Sequence, residues 1–86
     1  MENYKQNFEA AVKEVEELRD RPSNETLLLL YALFKQSTEG DNLKNPPENP
    51  FDFVAKAKYE AWKSQQGKSS ETAMKEYVEL VDKLKN

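Results

Sequence analysis

Within "LLLLYALFKQS", residues 27–37, Tyr31, Phe34 and Lys35 are related by i, i+3 and i+4, which puts two aromatic rings and one ammonium on a single helical face. Such a face can hold a planar group against a ring and an anion on the lysine. Stacking a base on an aromatic side chain contributes about 1–3 kcal/mol, enough to orient a nucleotide but not to hold it alone. The same three residues also fit the edge of a core, with Lys35 extending its stem over apolar surface. In "KAKYEAWK", Lys58 and Trp62 are i and i+4 neighbours, and Lys56 and Lys63 add positive charge. These lysines form either a solvated face or, if Lys58 meets Lys35 across a groove, a two-ammonium phosphate site, because like charges held close repel unless an anion sits between them. Tyr77 in "AMKEYVEL" is either a core residue with its hydroxyl directed to a partner or a second wall for a stacked base.

Other chemistries find no residues to carry them. The chain has no cysteine and no histidine, so disulfides, thiolate zinc sites, the serine-triad imidazole and the commonest general base are missing. No glycine-rich phosphate loop, zinc spacing or calcium loop is present, and no cofactor or metal site is expected. The carboxylates of "VKEVEELRDR" read as a charged helix face rather than an acid–base pair. An enzyme is therefore not expected. A formal net charge of −3 disfavours a broad nucleic-acid surface, which needs a basic stripe. There is no apolar run of about 18 residues, and "MENYKQNFEA" lacks the apolar core of a signal peptide, so a soluble cytoplasmic protein is expected.

The elements that must position these side chains are helices. With 86 residues, one domain over 1–86 and one core are expected. Phe8, Ala11, Val12, Val15 and Leu18 recur at amphipathic spacing, and the helix they form should stop before "RDRPSNE". Pro22 biases Arg21 away from helical dihedrals, and Ser23 or Asn24 can cap a second helix from about Asn24 to Glu39, ended by Gly40. At ~100° per residue, Leu29 and Leu33 lie opposite Tyr31 and are expected to face the bundle. Leu27, Leu28, Phe34 and Lys35 flank Tyr31. "GDNLKNPPENPF" reads as a long ordered loop. Asp52 can cap a third helix over "FVAKAKYEAWKSQQ" ending at Gly67, and Ser69 or Ser70 a fourth with the stripe Ala73, Tyr77, Leu80, Val81 and Leu84. No strand alternation is present, so the fold class expected is all-α, four helices around one core.

The succession "FEAAVKEVEEL", "RPSNETLLLLYALFKQSTEGD", "FDFVAKAKYEAW" and "GKSSETAMKEYVELVDKL" resembles the acyl-CoA-binding protein family from about Phe8 to the carboxyl terminus. The resemblance implies a four-helix up-down-down-up bundle that binds long-chain fatty acyl-CoA thioesters without transforming them. It implies that Tyr31, Lys35 and Lys58 hold the 3′-phosphate of the CoA ribose and that the adenine lies against Phe34 and Tyr77. It also implies an apolar groove for the acyl chain on the second and third helices, for which Leu28, Ala32, Leu33 and Val54 are the candidates. The partners implied are acyl-CoA itself, with acyl-CoA-using enzymes or membranes met transiently, for a monomer that binds no nucleic acid.

The sequence departs from the family's pattern at several positions. Many relatives carry tyrosine at the position of Phe34, lysine is frequent at those of Glu16 and Val54 and tryptophan is common at that of Tyr59, and the proline-bearing loop is slightly longer here. Against that pattern, the resemblance implies weaker secondary head-group contacts at Glu16 and Val54 with the phosphate triad kept. The other reading of the aromatic face is a helical protein–protein interaction module. The two differ in what surrounds Tyr31: a groove flanked by lysines in the first, a flat uncharged surface in the second.

Overall fold

The computed structural model describes residues 3–85. Among these residues the chain forms four helices and no strand: α1 Tyr4–Glu16, α2 Asn24–Glu39, α3 Phe53–Lys63 and α4 Ser70–Lys85. They make an up-down-down-up bundle. α4 packs on α1 and on α2, and α3 packs on α2 alone. The lateral order α1, α4, α2, α3 yields a flat body of 42 × 31 × 15 Å.

Local chemistry sets the helix boundaries. The Ser23 hydroxyl accepts from the Thr26 amide at 3.1 Å, the Asp52 carboxylate from the Ala55 amide at 3.0 Å, and the Ser69 hydroxyl from the Thr72 amide at 3.1 Å. Each cap satisfies an amide that the first helical turn leaves without an intrahelical partner. α2 ends at Gly40, whose φ of 81° lies in the region that side chains with a Cβ avoid. α3 stops at Lys63 rather than running to Gln66 as the sequence suggested. There the amides of Gln65 and Gln66 bond three residues back, to Trp62 and Lys63, and the Ser64 hydroxyl donates to the Ala61 carbonyl at 2.6 Å, closing the helix into a turn.

The core is formed by Phe8 and Ala11 of α1, Leu30 and Leu33 of α2, and Ala73, Tyr77 and Val81 of α4. Burying an apolar side chain of Val, Leu or Phe size contributes about 1.5–3 kcal/mol relative to leaving it in water. The α4 stripe lies where periodicity put it, with Leu80 and Leu84 half-buried against the core. On α2 the pattern is rotated. Leu29, expected inside, is 41% exposed, and Leu30 is buried in its place. The cause is that α2 is covered on two sides: α4 takes the direction of Leu30, Leu33 and Ser37, and α3 takes another. The direction opposite Tyr31 falls between these neighbours, so Leu29 reaches only the shallow edge beside Leu80 and Lys83.

A polar hub ties the long loop to the bundle. Buried Gln36 donates through Nε2 to the Asp41 carboxylate and to the Lys68 carbonyl, both at 2.8 Å, and Asp41 also accepts from the Gly67 amide at 2.8 Å. The Trp62 indole donates to the Gly40 carbonyl at 2.8 Å, and the Asn42 amide donates to the Tyr59 carbonyl at 3.1 Å. These bonds fix the start of the loop against α3 and the turn before α4.

Candidate functional site

Leu27, Leu28 and Tyr31 follow Asn24 at the i, i+3, i+4, i+7 spacing of one α2 face, and they look across at Phe53, Val54, Ala57 and Lys58 of α3. Between the two faces, with Arg21 at its rim, is a hollow of about 420 Å³ whose walls are predominantly apolar. Arg21 is steadied by a 3.2 Å hydrogen bond from its guanidinium to the Asn24 side-chain oxygen. A second hollow, of about 250 Å³, lies beside the first and shares Tyr31 and Lys58 with it. Its other walls are Tyr59, Trp62 and Ala55 of α3 together with Asn42, Lys44, Asn45 and Pro47 of the loop. Tyr31 and Lys58 therefore form the divide between an apolar hollow and a cationic one.

At that divide the Lys58 ammonium stands 5.4 Å from the centroid of the Tyr31 ring. Lys35 leans over Trp62, 4.9 Å from the ring centroid, and Lys44 reaches the same indole at 5.6 Å. An aromatic face attracts a cation electrostatically, so Tyr31 and Trp62 gather three ammonium groups in one region. Lys35 is also paired with Glu39 one turn along α2. That hydrogen bond is the chief reason the Glu39 carboxyl is held below the usual carboxylate value; the field of Lys44 adds to it and partial desolvation opposes it.

The aromatic pair expected to flank a base is arranged differently. Tyr77 is 5% exposed and sits in the core, its ring meeting Phe8 edge-on at 5.1 Å; burial raises its hydroxyl pKa above the ordinary tyrosine value. Phe34 is 37% exposed and stacks on the same Phe8 at 5.8 Å with the ring planes 29° apart. Phe8 thus lies between Phe34 and Tyr77, and of the two it is Phe34 that offers ring surface to the outside.

Of the groove candidates, the apolar hollow includes Leu28 and Val54 but not Ala32 or Leu33. Both of the latter are buried, and Leu33 belongs to the core. The reason is rotation about α2: Ala32 is ~100° and Leu33 ~200° round the helix from Tyr31, so neither shares its face. Sequence reasoning missed Arg21, Asn24, Phe53 and Ala57 in the apolar hollow and Lys44 in the cationic one, and it set Leu27 beside Tyr31 and Trp62 beside Lys58 without giving either a role. The α2 members were legible as a stripe running back from Tyr31. Lys44 was not, since it is long-range bonds, from Asn42 to Tyr59 and from Trp62 to Gly40, that bring the loop onto α3.

A family model described as "Acyl CoA binding protein" matches residues 5–81. This chain belongs to the acyl-CoA-binding protein family. It is 51% identical over 79 residues to the acyl-CoA-binding protein of Saccharomyces cerevisiae, which covers 92% of this chain and 90% of the yeast protein. It is 48% identical over 79 residues to the acyl-CoA-binding protein homolog of Drosophila melanogaster, over 92% and 91% of the two chains. Among solved structures, the fold is similar to that of acyl-CoA-binding protein 2 of Oryza sativa, with a TM-score of 0.88 and 38% identity over 94% of this chain and 89% of that one. This acyl-CoA-binding family member has, among its described residues, no helix long and apolar enough to cross a membrane and no cluster of three or more carboxylates suited to a metal ion.

Proposed function

We propose that the chain is a monomeric cytoplasmic carrier and pool former that binds long-chain fatty acyl-CoA thioesters and releases them unchanged to acyl-CoA-using enzymes or to membranes. Family membership supports the ligand class. The observation that carries the reading is the pair of hollows meeting at Tyr31 and Lys58, one apolar and one cationic, since a fatty acyl-CoA is itself an apolar tail joined to a polyanionic head.

In this reading the ribose 3′-phosphate lies against the Tyr31 hydroxyl and the ammonium groups of Lys58 and Lys35. A phosphate monoester carries close to two negative charges near neutral pH, and charge-assisted hydrogen bonds from these donors offset its desolvation. The adenine rests on the open face of Phe34, and Tyr77 supports that platform from behind Phe8. The acyl chain enters the apolar hollow along Leu28 and Val54. Burial of the tail contributes up to ~0.8 kcal/mol per methylene, so a chain of about sixteen carbons outweighs any one head-group contact. The head sets the identity of the site and the tail sets most of the affinity.

No reaction is part of this reading, because the chain has neither a histidine nor a cysteine to form a nucleophile–base pair for thioester cleavage. Calorimetric titration with palmitoyl-CoA, free CoA and palmitate tests the proposal. Palmitoyl-CoA should bind far more tightly than either fragment and remain intact over hours. Equal or absent binding of all three would overturn it.

A further inference from the structure

We infer that Lys44, in the loop between α2 and α3, is a third ammonium ligand for the ribose phosphate of the bound nucleotide head. The inference rests on the reading that the cationic hollow receives that head.

The loop holds Lys44 there by construction. Buried Asn42 donates to the Tyr59 carbonyl at 3.1 Å and accepts from the Lys44 amide at 3.0 Å, so the backbone at residue 44 is bonded to α3 through one side chain. The Lys44 ammonium then stands 5.6 Å from the centroid of the Trp62 ring, in the hollow it shares with Tyr31 and Lys58. Lys35 approaches the same ring at 4.9 Å.

Two ammonium groups outside any salt bridge share this hollow. The ammonium groups of Lys68, Lys75 and Lys85 each have a carboxylate partner, and Lys35 has Glu39. Among the described residues Lys44 and Lys58 have no carboxylate within salt-bridge distance, although the field of Lys44 reaches Glu39, and each ammonium lies against an aromatic face. Lysines without a carboxylate partner are not confined to this hollow: the Lys63 ammonium lies 3.4 Å from the hydroxyl of its helix neighbour Tyr59. Here two of them line one concavity with a phenol between them, in a protein whose formal net charge is −3. Like charges gathered this way repel until an anion lies between them, and a doubly charged phosphate monoester accepts from several donors at once.

The inference is tested by titrating palmitoyl-CoA and its 3′-dephospho analogue into the wild type and the variants Lys44→Gln and Lys44→Arg, with Lys83→Gln on α4 as the charge control. Lys44→Gln should lose about three- to tenfold in affinity for palmitoyl-CoA, since an accessible charge-assisted bond of this kind sits between an exposed ion pair and a desolvated one. It should lose little or nothing for the dephospho analogue. Lys44→Arg should restore most of the loss, and Lys83→Gln should match the wild type. A loss of the same size for both ligands would mean that the substitution displaces the loop or acts elsewhere on the head, and overturns the assignment. Unchanged affinity for palmitoyl-CoA in Lys44→Gln overturns it as well while leaving the carrier reading intact. Failure of the wild type to bind palmitoyl-CoA overturns both.

Discussion

The Lys58 ammonium stands 5.4 Å from the centre of the Tyr31 ring, on the divide that both residues form between the apolar hollow and the cationic one. A phosphate bound at this point would take one donor from α2 and one from α3, helices that touch each other directly. Lys58→Ala should therefore weaken palmitoyl-CoA binding by about tenfold, the lower end for a charge-assisted hydrogen bond because Lys58 is exposed. Tyr31→Phe should lower affinity by a smaller factor through loss of the hydroxyl. Thermal midpoints of both variants should stay within ~4 °C of the wild type, as for surface substitutions in a domain of this size. Wild-type affinity in both variants would remove the phosphate from this position.

Glu39 competes with the ligand for Lys35. The two side chains are paired, and the hydrogen bond from Lys35 is the chief cause that lowers the Glu39 carboxyl pKa. A phosphate that engages Lys35 must displace this carboxylate or share the ammonium with it. Glu39→Gln should therefore raise affinity for palmitoyl-CoA by about two- to fivefold, the range of an exposed ion pair. The gain should shrink as salt is added, because exposed charges are screened over about 8–10 Å at 0.1–0.15 M. A fall in affinity would show that Glu39 orients Lys35 rather than competing for it.

Asp41 gives the fold an acid-sensitive contact. Its carboxylate accepts first from the Gly67 amide and then from Gln36, and together these hold its pKa below the ordinary value of 3.8 against a smaller opposing effect of desolvation. A depressed folded-state pKa means that the contribution is fully present above 3.8 and is lost as pH falls from there through the lower folded value. Asp41→Asn keeps an oxygen acceptor and removes the titration. Urea midpoints measured from pH 7 down to pH 2 should show the wild type ahead at neutral pH, with the difference closing below about pH 4. A constant difference across that range would exclude Asp41 as its source.

Phe8 and Phe34 touch, yet their truncations should read out differently. Phe8 is buried and carries both Phe34 and Tyr77 on its ring, so Phe8→Ala should cost about 3–5 kcal/mol of stability. Phe34 is more than a third exposed, so Phe34→Ala should cost less stability and about 1–3 kcal/mol of affinity if adenine stacks on it. Chemical denaturation and titration of the two variants separate these effects. Equal affinity of Phe34→Ala and the wild type would place the base elsewhere.

Why some of this was legible in the sequence and some was not follows from which forces are local. Ser23, Asp52, Ser69 and Gly40 act within a few residues of themselves, so α2, α3 and α4 could be bounded along the chain, while α1, which has no side-chain cap, was legible from its apolar spacing. The α4 stripe was equally plain because α4 faces its two neighbours with one contiguous side. α2 broke the rule that a helix has a single inner face: with α4 and α3 both against it, Leu30 is inside, Leu29 is at the edge, and Ala32 and Leu33 lie away from the groove. Tyr31 and Lys58 could be named from the family resemblance, but periodicity could not show that they meet. Phe8 as the link between Phe34 and Tyr77 had no local signal, because α1 reaches α2 there through side chains alone.

Chain length is the measurement most sensitive to the apolar hollow. Its walls at Leu27, Leu28, Phe53, Val54 and Ala57 are open on one side, and Val54 is 66% exposed, so a tail lying there remains partly wet. Successive methylenes should then contribute less than the ~0.8 kcal/mol of full burial, with the increment falling away once the tail extends past the hollow. A titration series from octanoyl- to stearoyl-CoA should rise steeply and then flatten. Leu28→Asp sets a carboxylate into the wall, where an apolar neighbour can neither pair with it nor solvate it. It should depress palmitoyl-CoA affinity much more than octanoyl-CoA affinity, since more of the longer tail passes Leu28. An equal loss for the two ligands would mean that Leu28 does not contact the distal tail and that the acyl chain leaves the head by another route.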